Sequence, residues 1–318
     1  IVIEGMDGTA TTIIDLENSG NFLTLNGNES LASRLDGFTI KRGYASSAGT
    51  AVSLQGAQMQ IWNCRFEENR SGVPGTNTGG NYSAAIYADR KIIIKNTTFL
   101  NNKSFRVGGD YYYFAGGNSG AVLLCGSAGN RVENCEFRGN HGDAGAIGLD
   151  NASIEITNSR FIGNSALLRG GAVGTISWFM GFYDESGYQV KMTNCLLLNN
   201  TAADNYSDLN MENSTRCELI NVTIYGGSAS KSGSCYFGGD TVLRNTILSG
   251  TYVRDSAKNM TADYCLGDSS LQQFGSGNII GDPKILQDGD LAADSICIDA
   301  GTNIEVPDSD LDGVSRPA

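Results

Sequence analysis

The chain has 318 residues, 42 of them Gly and only four Pro, and carries a formal net charge of −12 with a single His. So acidic a surface repels phosphate backbones, which argues against nucleic acid as a partner. No apolar run approaches the ~18 residues that a membrane-spanning helix needs. In chain order, Ile1-Val2-Ile3 already reads as mid-strand, and Ser315-Arg316-Pro317-Ala318 carries no natural stop. The chain therefore reads as a piece of a longer or processed protein.

From Ile61 onward one phrase returns: apolar, spacer, Asn, small, spacer, large apolar, two positions, then often a second Asn. It stands at Ile61–Asn69 (I-W-N-C-R-F-E-E-N), Ile94–Asn102, Val132–Asn140, Ile156–Asn164 and Met192–Asn200, with weaker copies at Leu35–Gly43, Leu219–Gly227 and Leu243–Thr251. The slot of Asn63 aligns Gly37, Asn96, Asn134, Asn158, Asn194, Asn221 and Asn245. The copies are separated by roughly 24 to 38 residues, the range of solenoid repeats. Within a copy the apolar residues alternate, as in Ile92/Ile94 and Ile154/Ile156, which is strand periodicity. Short strands repeated at this spacing predict a solenoid of stacked parallel strands.

Asn tolerates the left-handed backbone of a sharp turn better than other non-Gly residues. Stacked Asn side chains can also hydrogen-bond along the coil, so the slot predicts a turn with an asparagine ladder at a buried corner. Phe66, Phe99, Phe137, Phe161 and Leu197 then form an apolar stack inside the coil. A second phrase, Ser83-Ala84-Ala85-Ile86, Ser119-Gly120-Ala121-Val122, Ala144-Gly145-Ala146-Ile147 and Gly170-Gly171-Ala172-Val173, predicts another tight corner where backbones pass closely. Repeats fill residues 1–251, and residues 252–318 read as less regular C-terminal rungs or a cap of the same domain.

The F-x-x-N and G-G-A-[ILV] phrases resemble the repeats of chlamydial polymorphic outer-membrane proteins. More broadly the chain is similar to bacterial secreted β-helix repeat proteins, through Leu35-Asp36-Gly37-Phe38-Thr39-Ile40 and the tail phrases Cys297-Ile298-Asp299-Ala300-Gly301 and Asp310-Leu311-Asp312-Gly313. The resemblance implies an all-β fold, a right-handed parallel β-helix of about 8–10 rungs with loop insertions. It also implies a secreted or cell-surface location. The function it implies is a structural, adhesive or glycan-binding module. The alternative is a carbohydrate-active enzyme, a polysaccharide lyase or glycosidase working in a groove along the coil. Expected partners are a polysaccharide or a cell-surface glycan or protein, with end-to-end self-association.

Three insertions interrupt the rungs. Residues 70–82 and 103–118 both fall between F-x-x-N and the small-residue phrase, so they leave one corner on consecutive rungs. The second carries Tyr111, Tyr112 and Tyr113. The third, 176–188, leaves another corner and carries Trp178 and Tyr183. These aromatics either pack down on the coil or contact a ligand, since aromatic side chains serve both ends. Catalytic candidates are sparse: His141, Asp143, Arg106 and Asp110 gather near the predicted step after the second insertion, without a matching hydrolase or lyase motif. The bland reading of His141 is an exposed turn residue. No organic cofactor is implied. Asp308, Asp310 and Asp312 have the D-x-D-x-D-G form of a calcium loop's first half, so Ca²⁺ is the one cation the sequence offers a place.

The chain has eight Cys. Cys64, Cys135 and Cys195 share a repeat slot, with Thr97 and Ser159 between them. Two rungs span roughly 9.6 Å, beyond the ~7 Å that a disulfide bridges, so these three stay unpaired. Cys217, Cys235, Cys265 and Cys297 lie in less regular sequence and are free to pair.

Overall fold

The computed structural model describes residues 1–45, 49–72, 82–105, 118–176, 188–212, 215–231, 233–255 and 258–316. These residues wind into a right-handed parallel β-helix whose strands form a 16-stranded, a nine-stranded and a seven-stranded sheet, with a short two-stranded sheet beside them. One rung shows the pattern. Met59–Trp62 and Arg65–Glu67 flank the turn Asn, Arg70–Ser71 crosses to the second face, and Ile86–Ala88 closes the third. The next rung stacks on it in register, Ile92 on Met59, Phe99 on Phe66, Lys103 on Arg70 and Val122 on Ile86.

The turn slot behaves as its residue type dictates. Asn63, Asn96, Asn134, Asn158, Asn194, Asn221 and Asn245 all take φ between 48° and 53°, and Gly37 takes 82°. In the later rungs the strand runs unbroken through the kink, as in Ile154–Ile162 and Gln189–Leu198. The slot is not a buried corner on most rungs, although the tail covers Asn194 and leaves it buried. Asn63, Asn96 and Asn134 are exposed, because the left-handed residue lets two successive side chains, Trp62 and Asn63 in the first of these rungs, face outward before Cys64 turns in. Their amides still bond rung to rung, Asn96 Nδ2 to Asn63 at 3.0 Å and Asn134 Nδ2 to Asn96 at 3.2 Å.

The buried amides stand six residues further on. Asn69, Asn102, Asn140, Asn164 and Asn200 are fully buried. From Asn69 to Asn164, each Nδ2 donates to the next Oδ1 at 2.9–3.1 Å, and each also donates to a carbonyl of the preceding rung, as Asn140 does to Phe99. From Asn102 to Asn200, each Oδ1 further accepts the backbone N–H of the Asn before it. The column therefore satisfies main-chain groups at a corner where strands cannot pair. Beside it lies the aromatic stack. Phe66, Phe99, Phe137 and Phe161 are fully buried, with centroids 5.2, 4.7 and 4.7 Å apart and nearly parallel rings. At the small-residue corner a Cβ on Gly145 would sit 2.1 Å from the Gly171 carbonyl oxygen, so no side chain fits there.

All eight cysteines are free, so the late four do not pair. Seven are buried and Cys297 is partly exposed. Burial pushes the Cys64 thiol up to about 11 and those of Cys135 and Cys195 up to about 12, because the thiolate would be desolvated at each site. With Ellman's reagent the native protein is expected to show about one reactive thiol, and the unfolded protein all eight, with no change in the count after reductant. A gain of thiols on reduction would show that a bridge exists.

Below the last full rungs, Met260–Asp263 still pairs with Thr241–Arg244. A 3₁₀ helix, Ser269–Phe274, then lays buried Leu271 over the end of the core, its N-terminus capped by Asp268. From there the chain turns back along the outside of the coil, where its residues meet Asn245 and then Asn194.

Candidate functional site

Arg106, Asp110, Tyr111, Tyr112, Tyr113, Trp178 and Tyr183 lie outside the described residues. The roots of their insertions do not. Arg70–Ser71 pairs with Lys103–Ser104, and Tyr82–Ser83 with Asn118–Ser119, so the first two insertions leave and rejoin the coil at the same places on consecutive rungs.

His141 is not an exposed turn residue. It occupies the short strand His141–Gly142, stacked between Lys103 and Ser165, and is half-buried. Its Nδ1 lies 2.7 Å from Ser165 Oγ. Burial and the Lys103 charge both lower its pKa, which favours the neutral ring at pH 7. Asp143 is buried two residues later. A rung strand of only two residues is too short to leave a readable alternation in the sequence.

Asp308, Asp310 and Asp312 serve a turn. Asp310 Oδ1 accepts the N–H groups of Asp312 and Val314, and the Asp312 carboxylate pairs with Arg160. Among the described residues no three His, Cys, Asp or Glu side chains cluster so as to hold a metal ion.

That turn belongs to the returning tail, which crosses the kink row. Thr302 N–H donates to Asn245 Oδ1 and the Thr302 carbonyl accepts from Asn245 Nδ2, at 2.9 and 2.7 Å. Higher up, Asn194 Nδ2 donates to the Ser309 carbonyl at 2.9 Å. Between the tail's Leu311-Asp312-Gly313 and the coil lies a cavity of about 550 Å³, floored by Asn96, Asn134 and Asn158 and walled by Thr98, Glu136 and Arg160.

A second feature stands on the nine-stranded sheet. The rung strand Val173–Thr175 pairs with Leu209–Met211, which sets Tyr206 in the slot of Gly170. Gly170 has φ 70° there, and Tyr206 keeps that conformation at φ 54°. A bulky side chain with a left-handed backbone is an outlier. The ring it delivers stacks on Tyr236 of the next rung, with centroids 5.2 Å apart at 28°. Beside the pair, Arg169 forms an ion pair with Glu212, whose backbone N–H donates to Thr175 Oγ1 at 2.7 Å. Thr175 ends the strand from which the third insertion departs. All four shelf residues are half-buried. Their signal in the sequence is Asn205-Tyr206-Ser207-Asp208 standing where the rung before has Arg169-Gly170-Gly171-Ala172.

No protein-family model matches the chain, and no curated protein or solved structure matches it. Function is therefore read from the cavity and the shelf themselves. Asp150 and Asp208, whose carboxyl pKa burial raises, line neither of them. Among the described residues no helix is long and apolar enough to cross a membrane.

Proposed function

We propose that the chain is a secreted or cell-surface module of bacterial type, a rigid β-helix that binds glycan and serves adhesion rather than catalysis. The observation that carries this reading is the Tyr206–Tyr236 shelf. Tyr206 holds a backbone conformation that costs about 1 kcal/mol or more for a residue with a Cβ, where the preceding rung uses Gly. That cost brings no buried core contact, since both rings stay half-exposed. It does bring two aromatic rings together beside a guanidinium and a carboxylate. Aromatic faces take the apolar face of a sugar ring, and the ion pair supplies donors and acceptors for its hydroxyls.

Tyr206→Gly separates binding from folding. It restores the residue that the backbone favours, so stability is expected to hold or rise, while glycan binding falls about tenfold or more. Tyr236→Ala should give the same loss of binding. The readout is a glycan array followed by titration of the best ligand against each variant. Undiminished binding by both variants would remove the shelf from the site. Release of product from any polysaccharide by the native chain would overturn the non-enzymatic reading.

A further inference from the structure

We propose that the cavity between the tail and the exposed Asn row is a second binding site, specific for a single terminal sugar that carries a carboxylate, and that Asp312 holds the place of that carboxylate. The volume of about 550 Å³ suits one or two sugar rings. Its floor repeats one polar group per rung. Each of Asn96, Asn134 and Asn158 presents an amide at the kink, and the rung-to-rung bonds of Asn96 and Asn134 engage one Nδ2 hydrogen of each. In the covered part of the row the tail shows what such an amide does next, since Asn194 Nδ2 donates outward to the Ser309 carbonyl as well as to Asn158. The same outward donors at Asn96 and Asn134 face the cavity.

Charge decides the ligand class. Arg160 is the cation that lines the cavity, and its ion-pair partner is Asp312, 152 residues away in the chain. Arg160 sits within a long strand and is positioned by the coil. Asp312 comes from a turn that reaches the coil through Ser309 and Arg316 on Asn194. A ligand carboxylate can replace Asp312 on the guanidinium, because the exchange keeps one charge-assisted contact for another. The net charge of −12 works against an acidic polymer, whose further carboxylates would meet a repelling surface. One terminal carboxylate with hydroxyls around it fits the donor set, with Thr98 and Glu136 beside the amides.

The test titrates the full chain with 3′-sialyllactose, with a glucuronic-acid-capped lactose and with lactose itself, by calorimetry. Expected is binding of one or both acidic sugars, with lactose weaker by about tenfold or more. Sialyl binding alone or glucuronyl binding alone names the source of the carboxylate, and binding of both supports carboxylate recognition as such. Asp312→Asn removes the internal competitor and should tighten acidic-sugar binding. Arg160→Gln should abolish the preference over lactose, and Asn134→Ala should weaken binding without changing that preference. The titrations are run in parallel on the Tyr236→Ala chain, which lacks the tyrosine shelf, so that binding kept there reports this site and not the shelf. The proposal fails if acidic and neutral sugars bind alike, if Arg160→Gln keeps the preference, or if neither acidic sugar binds even the Asp312→Asn chain. It also fails if only an acetylated Asp-Leu-Asp-Gly peptide binds, which would make the site a peptide receptor.

Discussion

Asn140→Ala is expected to destabilise the fold by about 4 kcal/mol, far more than Asn96→Ala one rung back, although both asparagines belong to the same repeated phrase. Asn140 Oδ1 accepts two hydrogen bonds, from the backbone and the side chain of Asn102. Its Nδ2 donates to Asn164 and to the Phe99 carbonyl. Truncation leaves the Asn102 N–H, one Asn102 amide hydrogen and the Phe99 carbonyl without these partners in a fully buried column. Each such orphan costs about 1–3 kcal/mol. Asn96 also loses bonds on truncation, but it is exposed, and water replaces them. What Asn96→Ala does lose is tolerance of the left-handed backbone at φ 50°, roughly 1 kcal/mol, and Asn96→Gly should recover that. Equilibrium unfolding in urea checks the ranking. Equal losses for Asn96→Ala and Asn140→Ala would mean that burial does not separate the two columns.

The contrast between these two asparagines marks how far the sequence can be read. The Asn slot, the Phe stack and the Gly-Ala corner were legible because each is a local backbone or volume constraint repeated at every rung. Which of the two asparagines faces inward was not. The left-handed residue resets the in–out alternation, so counting by twos from Ile61 puts Asn63, Arg65 and Glu67 inside, and a second left-handed residue, Glu68, restores the count at Asn69. The tail was illegible for another reason. Arg160 and Asp312 meet once, across nearly half of the chain, and a single non-repeating contact leaves no periodic trace. Asp308-Ser309-Asp310 read as a half calcium loop because carboxylates that cap a turn and carboxylates that hold a cation share one spacing. The shelf stands in a copy of the small-residue phrase that has lost its Gly and Ala residues, since Tyr206-Ser207-Asp208 replaces Gly170-Gly171-Ala172.

That same altered phrase sets the pH response. Asp208 stands where neighbouring rungs carry Ala121, Ala146 and Ala172, and it is fully buried. Its place follows from how the Asn column ends. The amides in the column donate toward later rungs, and the slot after Asn200 is Gly227, which has no side-chain acceptor to offer. Asp208 reaches into that gap. Asn200 Nδ2 donates to its Oδ1 at 3.1 Å, Ser207 Oγ donates to its Oδ2 at 2.7 Å, and a Cβ on Gly227 would come within 2.1 Å of Oδ2. Burial raises the carboxyl pKa to about 7, because the hydrogen bonds from these two neutral partners lower it only in part and no cation compensates the buried charge.

The sign is opposite to that of an ion-paired carboxylate. The folded state keeps this proton to about pH 7, while the unfolded chain releases it near its ordinary value of 3.8. Between those values the native state binds more protons, so stability falls as pH rises, by about 1.4 kcal/mol per pH unit and on the order of 4 kcal/mol in all. Asp15, held down to about 2 by Arg42, acts in the other direction and below this window, so the two do not overlap. Asp208→Asn keeps the shape and an acceptor oxygen for Asn200 but cannot ionise. It is expected to match the native protein near pH 4 and to exceed it clearly at pH 8. Urea midpoints at about pH 4.5, 6 and 8 for the two proteins measure this directly. Parallel profiles would show that Asp208 is ionised in the folded protein at neutral pH, and the column would then end in a charge rather than in a proton.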